Sequence, residues 1–344
     1  MSRRNAVSNI KIKDIAKAAG VCEATVSRTL RNPDIVSEKT RKKVLAVVEQ
    51  MDYTPNSLGA SLRQGSSRNI LVMLPDITNP YFSPIVRAIE QEAIAKRYSV
   101  LLGDTLDDPK LEHAFANMVR SRQADGVIIN SQRIPFDYLR RPEKASRLPP
   151  IVSASEIVDE EEIPRVVVDN VEVGRTATRH LLELGHRRIG LIAGPADLRT
   201  TKDRMLGFHE EMQKAGLKVD PQAIFYGDYS TESGIEGVQK LMLRPDRPTA
   251  LFCLGDLVAL GALHILRELG FRVPDDISVI GVDGISMGRY SAPPLTTVAQ
   301  PMEQIGKTCM ATMIDLIEGR APANKLILLP HELIIRKTTG PAPA

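Results

Sequence analysis

The sequence predicts an all-α helix-turn-helix headpiece followed by an α/β core of two doubly wound parallel-sheet subdomains. Three observations carry that expectation. Two short amphipathic stretches separated by a glycine open the chain. From Arg68 onward the apolar period changes to runs of about five residues that alternate with amphipathic helical stretches. Charge is divided unevenly, with a net +6 on residues 1–64 and a net −3 on the rest of the 344-residue chain. A chain of this length exceeds the usual single core, so two or three compact units are expected.

Within Lys11 to Leu30, KIKDIAKAAGVCEATVSRTL, the residues Ile12, Ile15, Ala16 and Ala19 form one apolar stripe of a short helix, and Gly20 stands where helices commonly end. Glu23 to Arg31 forms a second helix that buries Val26 and Leu30 and turns Glu23, Ala24, Ser27, Arg28 and Arg31 outward. Two short helices about a tight turn make a helix-turn-helix, whose second helix is thin and exposed enough to enter a DNA major groove. Any helical hairpin shares that pattern. The concentrated positive charge favours DNA, because a phosphate-binding module needs it. Arg31 to Asp34 is a turn, and Ser37 with Glu38 supplies an N-cap and a first-turn acid. A third helix, about Glu38 to Met51, points Val44, Leu45, Val48 and Met51 inward and Lys39, Arg41, Lys42 and Lys43 outward. Residues 1–52 are therefore expected to form a DNA-binding domain, and residues 53–68 a linker with one short helix. Pro55 suits that helix's first turn, but isolated helices are marginal below ~12–15 residues and Gly59 weakens it by about 1 kcal/mol relative to Ala.

IKDIAKAAGVCEATVSRTL, then VSEKTRKKV, then YTPNSLGASL resemble the headpiece and hinge of the lactose-repressor (LacI) family of bacterial transcription regulators. The resemblance runs from about Ile12 to Ile335. ILVMLPDITNPYF, SQRIPFD and PPLTTVAQP are most similar to the cytidine repressor subgroup of that family. It implies a homodimer on double-stranded operator DNA, with Glu23, Ala24 and Arg28 facing the groove and Thr25, Ser27 and Arg63 completing the DNA-contacting set. Leu62 matches a leucine that enters the minor groove from the hinge helix, and an apolar wedge there unstacks a base step and bends the duplex. Gly59 and Ala60 depart from the small-then-basic pair often found in that hinge.

In the core, Ile70–Leu74, Val100–Gly103, Val127–Ile129, Val166–Val168, Ile189–Ala193, Leu251–Cys253 and Ser278–Val282 read as buried strands. Pro84–Lys96, Leu111–Arg122, Val173–Leu184, Arg204–Ala215, Leu257–Leu269 and Met302–Ile317 read as the intervening helices. Continuous apolar strands between helices mean parallel sheets covered on both faces. There are too many for one modest sheet. The resemblance extends to periplasmic sugar-binding proteins and implies three crossings between subdomains. Residues 69–168 with 300–325 are expected to form one, and 170–297 with 328–340 the other, within an effector-binding and dimerisation core of 69–340.

Open α/β sheets bind ligands outside the carboxyl ends of their strands. The loops there are chemically rich: Asp76 to Phe82, Asn130-Ser131, Pro195 to Arg204, Gly255-Asp256 and Asp283. Aromatic faces of Tyr81, Phe82 and Tyr229 with an Arg and an Asp suit a small polyhydroxylated or heterocyclic ligand. The resemblance assigns ring stacking to Tyr81 and Phe82, other pocket positions to Ser131, Thr200 and Tyr229, and the cross-cleft grip to Arg204 and Asp283. Asp256 joins them by its place after a strand. Leu198 replaces a basic residue that regulators responding to purine bases use, which argues against a free purine base. The expected effector is a nucleoside, a pentose or a related sugar.

No catalytic, metal or cofactor site is expected. His186 lies between a helix end and a strand, where a cation meets helix carbonyls, and His113, His180, His209 and His264 lack metal-ligand spacing. Neither a Walker loop nor a nucleophile elbow is present. Cys22, Cys253 and Cys309 form no CxxC and read as buried or inert thiols. The N-terminal stretch lacks a signal peptide's apolar run, and no window nears the ~18 apolar residues of a membrane helix, so a cytoplasmic protein with no membrane partner is expected. The C-terminal stretch has no heptad, which argues against an appended tetramerisation helix. The chain is thus expected to be a repressor, not an enzyme, whose operator affinity follows effector binding. A transporter's solute-binding protein would lack the basic headpiece, and a doubly wound enzyme would need a catalytic set.

Overall fold

The computed structural model describes residues 10–53, 65–136, 149–322 and 324–343. The expected hinge residues Leu62 and Arg63, with Gly59 and Ala60, lie outside the described residues. The chain divides at Ser66 into two compact units.

In the first unit, α1 (Ile12–Ala19) begins where Asp14 accepts the Lys11 backbone N–H at 2.8 Å and ends at Gly20, whose φ of 62° is the left-handed conformation that stops a helix. Helices α2 (Glu23–Arg31) and α3 (Glu38–Gln50) follow. Ile15, Ala16, Ala19, Val26 and Val44 are buried together, with Leu30, Val48 and Met51 packed around them. Leu45, expected inward, is 43% exposed. It sits one helical step, about 100°, from the Val44 and Val48 stripe, so one face cannot hold both.

The second unit contains two six-stranded sheets. The first is built from β1 (Asn69–Leu74), β2 (Ser99–Asp104), β3 (Gly126–Ile129), β4 (Ile151–Ala154) and β5 (Arg165–Val168), separated in part by α4 (Phe82–Ala95) and α5 (Pro109–Arg120). The second is built from β6 (Ile189–Ala193), β7 (Ile224–Tyr226), β8 (Ala250–Cys253), β9 (Ser278–Asp283) and β10 (Thr296–Ala299), with α6 (Asn170–Glu183), α7 (Arg199–Lys214), α8 (Thr231–Met242) and α9 (Asp256–Glu268) between them. After α10 (Met302–Ile317), β11 (Leu326–Leu329) and β12 (Glu332–Ile334) close one edge of each sheet. The orders are β11-β5-β4-β3-β1-β2 and β12-β10-β9-β8-β6-β7, every pair parallel except β10 with β12. Apolar strand interiors such as Leu71, Val72, Leu191 and Phe252 are fully buried because helices cover both faces.

Three crossings join the sheets: after Val168, after Ala299 and after Leu329. The expected boundaries shift accordingly. β11 pairs with β5, so Leu328 and Leu329 belong with the first sheet, and β10 carries the second sheet through Ala299. The strands the pattern missed are short, and among them TTVA at β10 is polar and IFY at β7 half-exposed. Helix α8 was missed because Gly234 and Gly237 weaken its pattern.

His186 is the buried tie of the second subdomain's edge. Its Nε2 is 3.1 Å from the Gly340 carbonyl and 3.0 Å from Ser278 Oγ, and its Nδ1 is 2.9 Å from Thr249 Oγ1. A carbonyl only accepts, so Nε2 carries the proton. Burial lowers the His186 pKa, which makes the ring neutral and corrects the expected cation. Of the thiols, Cys253 and Cys309 are buried, but Cys22 is exposed, its Sγ 3.2 Å from Thr25 Oγ1. No described helix is long and apolar enough to cross a membrane.

Candidate functional site

On α2, Glu23, Ala24 and Arg28 are exposed, while Thr25 and Ser27 are half-buried. The Thr25 hydroxyl is partly occupied within the headpiece, lying 3.2 Å from Cys22 Sγ. The outward face is therefore narrow, with Glu23 and Arg28 its charged groups. On α3, Arg41 pairs with Asp34 at 3.2 Å and Lys42 with Glu38 at 2.8 Å, whereas Lys39 remains exposed with no ion pair among the described residues.

In the core, both strand orders reverse at their first strand, β1 lying between β2 and β3, and β6 between β7 and β8. The loops at such a reversal diverge and leave a crevice. A cleft of about 440 Å³ lies there, lined by residues that follow the carboxyl ends of strands in both sheets. Its chemistry differs from wall to wall. The first subdomain supplies Tyr81 and Phe82, rings 5.1 Å apart and nearly edge to face, together with Asn130, Ser155 and Glu156. The second supplies Arg204, Tyr229 and Asp283.

Arg204 is 4% exposed and sits in the second turn of α7, not in a loop as expected. Helical side chains point back toward the N-terminus. Its guanidinium therefore reaches the strand ends, where Nε donates to Asn170 Oδ1 at 2.9 Å, Nη1 to the Leu254 carbonyl at 2.5 Å, and Nη2 lies 3.9 Å from Asp283 Oδ1. Two glycines make this reach possible. A Cβ on Gly174 would come 2.1 Å from the Arg204 carbonyl oxygen, and one on Gly207 2.0 Å from that of Val171, so α6 and α7 touch backbone to backbone.

Tyr229 and Asp283 hold left-handed φ values of 69° and 118°, and Ser155 one of 65°. Non-glycine residues there store about 1–3 kcal/mol each, and their gathering at one cleft marks a site whose surroundings hold it in shape. Tyr229 packs its ring on the backbone of Gly194, and its hydroxyl is 2.8 Å from Thr201 Oγ1. Burial pushes its phenol up to about 12, and burial with the nearby Asp283 pushes that of Tyr81 higher still. Burial raises Asp283 against the opposing pull of Arg204. Glu156 is raised by burial, offset in part by the Thr200 hydroxyl it accepts at 2.6 Å.

The family pattern for bacterial regulatory proteins of the lacI family matches residues 11–56, and that for a periplasmic binding protein-like domain matches residues 178–339. The HTH-type transcriptional repressor CytR of Escherichia coli strain K12 is 40% identical over 332 residues, covering 96% of this chain and 97% of CytR. The chain belongs to the LacI family. Another member, the HTH-type transcriptional regulator DegA of Bacillus subtilis strain 168, is 38% identical over 96% of the chain and 98% of its own length. The lac repressor dimer bound to operator and the anti-inducer ONPF superimposes with a TM-score of 0.85 at 30% identity, covering 96% of this chain and 99% of that one. These LacI-family relatives are transcriptional repressors and regulators, which points away from an enzyme.

Within this LacI-family core, Tyr81, Phe82, Ser131, Thr200, Arg204, Tyr229 and Asp283 all line the cleft. Asp256 does not. It is fully buried, its Oδ2 accepting the backbone N–H groups of Gly284 at 2.8 Å and Ile285 at 2.9 Å and its Oδ1 the Thr297 hydroxyl at 2.7 Å. Its carboxylate is spent on the turn after β9, so it positions Asp283 instead of facing a ligand. Ser131 is also engaged, donating to Glu112 at 2.9 Å and accepting from the Arg133 backbone N–H at 3.1 Å. The sequence places Asn130 in a ligand loop without giving it a role, and shows neither Glu156 nor Gln300. Asn130 Oδ1 is buried without a hydrogen-bond partner among the described residues and borders the cleft. Glu156 follows β4, a strand the apolar pattern did not show, and Gln300 follows β10, hidden by its threonines.

Proposed function

We propose that this chain represses transcription by binding operator DNA as a homodimer, and that a small molecule in the core cleft sets its operator affinity. The cleft itself carries the reading. Arg204 and Asp283 face aromatic and acceptor groups of the opposite subdomain, so a ligand touching both walls binds one closure better than the other. Only such a difference in affinity shifts the population of two states. Glu23, Ala24 and Arg28 read the major groove; Thr25 and Ser27 flank them, and Leu62 and Arg63 are assigned to the hinge contact by family resemblance alone.

The lining favours a neutral, hydroxyl-bearing, ring-containing ligand, a nucleoside or pentose. Asp76, Asp107, Glu156, Asp228 and Asp283 stand against the single guanidinium of Arg204, which disfavours a phosphate group. Leu198 lines the cleft and offers a ring edge no charge. Thermal-shift measurements with nucleosides, pentoses and phosphorylated sugars test this. A ligand at 100 times its Kd stabilises by ~2.7 kcal/mol. Stabilisation by a nucleoside or pentose supports the reading; a response to phosphorylated sugars alone overturns it. Operator selection tests the other half: affinity should fall with salt at a slope of about −0.9 per phosphate neutralised, and no selected duplex would be bound by a protein that is not a regulator.

A further inference from the structure

We propose that the hydroxyl of Tyr81 and the amide of Gln300 form a latch that spans the two subdomains, orients Asp283 and holds the two walls of the cleft together. It rests on reading the cleft as the effector site. Gln300 lies in the second crossing, between β10 and α10, and is 7% exposed. Tyr81 precedes α4 in the first subdomain and Asp283 ends β9 in the second. The Tyr81 hydroxyl is 3.1 Å from Gln300 Oε1 and 2.8 Å from Ser155 Oγ, and Gln300 Nε2 donates to Asp283 Oδ1 at 2.8 Å. The Gln300 backbone N–H also donates to the Asp283 carbonyl at 3.0 Å.

Proton counting fixes the direction of this chain. An amide oxygen only accepts, so Tyr81 donates to Gln300 Oε1, and it shares that single proton with Ser155 Oγ, toward which it is also the donor. A carboxylate only accepts, so the amide turns its NH2 toward Asp283. Flipping the amide would set its oxygen against the carboxylate, and that repulsion fixes the amide, since the ring hydroxyl can donate or accept. The bonds therefore run one way, from Tyr81 through Gln300 to Asp283, crossing from one subdomain to the other. Gln300 Nε2 meets Oδ1, while Asp283 Oδ2 is the oxygen on the side of Gly255, a residue of the cleft lining. A ligand that stacks on Tyr81 and engages Asp283 touches both ends of the latch, so occupancy and closure act on the same side chains.

Hydrogen–deuterium exchange of the ligand-free full chain tests this. Tyr81→Phe keeps the ring and removes one hydroxyl, and Gln300→Leu removes the amide. Both should speed exchange in peptides spanning Asp283–Ile285 and Gln300–Met302 by about threefold or more, as loss of a hydrogen bond implies, while helix-turn-helix peptides stay unchanged. Gln300→Glu supplies a readout that packing alone would not. Its carboxyl can share a proton with Asp283 in acid and must repel it in alkali, with Arg204, Asp256 and Glu156 the neighbouring charges. Relative to wild type at each pH, protection should be retained at about pH 5 and lost at about pH 8. Unchanged exchange in Tyr81→Phe, or a Gln300→Glu variant indifferent to pH, overturns the latch. No ligand enters these measurements, so they are independent of the thermal-shift result that decides whether the cleft binds an effector.

Discussion

The helix-turn-helix unit and the cleft place their working residues by opposite means. On α2, Glu23, Ala24 and Arg28 are exposed on one helix within six consecutive residues, and the small core beneath them is built on Ile15, Ala16, Ala19, Val26 and Val44. In the cleft, Tyr81, Arg204 and Asp283 come from three separate elements; the first two are buried and Asp283 is half-buried, each held by other protein groups. Substitution should therefore separate function from stability in the first unit and entangle them in the second.

The sharpest break of that contrast is Arg204→Ala. It strips a buried cation from Asn170, the Leu254 carbonyl and Asp283, and an uncompensated buried partner costs ~3–5 kcal/mol. Urea denaturation of the full chain should show that loss in the core transition, along with loss of ligand response. A stable Arg204→Ala protein that merely fails to bind would put the cleft in the same class as the helix-turn-helix. Asp256→Ala comes next. It leaves the Gly284 and Ile285 N–H groups, which share Oδ2, and the Thr297 hydroxyl without their acceptor, for about 1–3 kcal/mol of stability. Ligand affinity should weaken too, through Asp283, although Asp256 touches no ligand; calorimetry showing unchanged affinity in the folded variant would separate the two carboxylates.

For the helix-turn-helix, Arg28→Ala should leave the melting temperature unchanged and relax discrimination at one base pair per half-site by about 1–3 kcal/mol. An unchanged selected consensus at weaker affinity would make Arg28 a phosphate contact instead. The mildest effect is one of pH. Burial depresses the His186 pKa below the ordinary 6.5, so its contribution to stability is full above that value and is lost as pH falls through the depressed one. His180, His209 and His331 are shifted the same way. Wild-type core stability should decline from about pH 6.5 downward, and His186→Gln should flatten part of that slope. Equal slopes in the two proteins would mean the ring is not held neutral.

Periodicity and punctuation sufficed for α1 and α2, because a helix stripe and Gly20 are properties of adjacent residues. They also sufficed for buried strands such as β1, β6 and β9, which are largely continuous apolar runs, and so for locating the loops that line the cleft. Short range limits that kind of evidence. TTVA at β10 is buried between β9 and β12 in the second sheet, and the pairing of β11 with β5 in the first sheet carries β11 across the expected boundary. Asp256 and Asp283 both stand at strand ends in the sequence, yet one carboxylate binds a backbone turn and the other lines the cleft. Gln300 gave no local sign, lying 219 residues from the Tyr81 hydroxyl it accepts. Local pattern reports which residues can be buried; which polar groups meet depends on how two sheets and three crossings bring distant loops within hydrogen-bond reach.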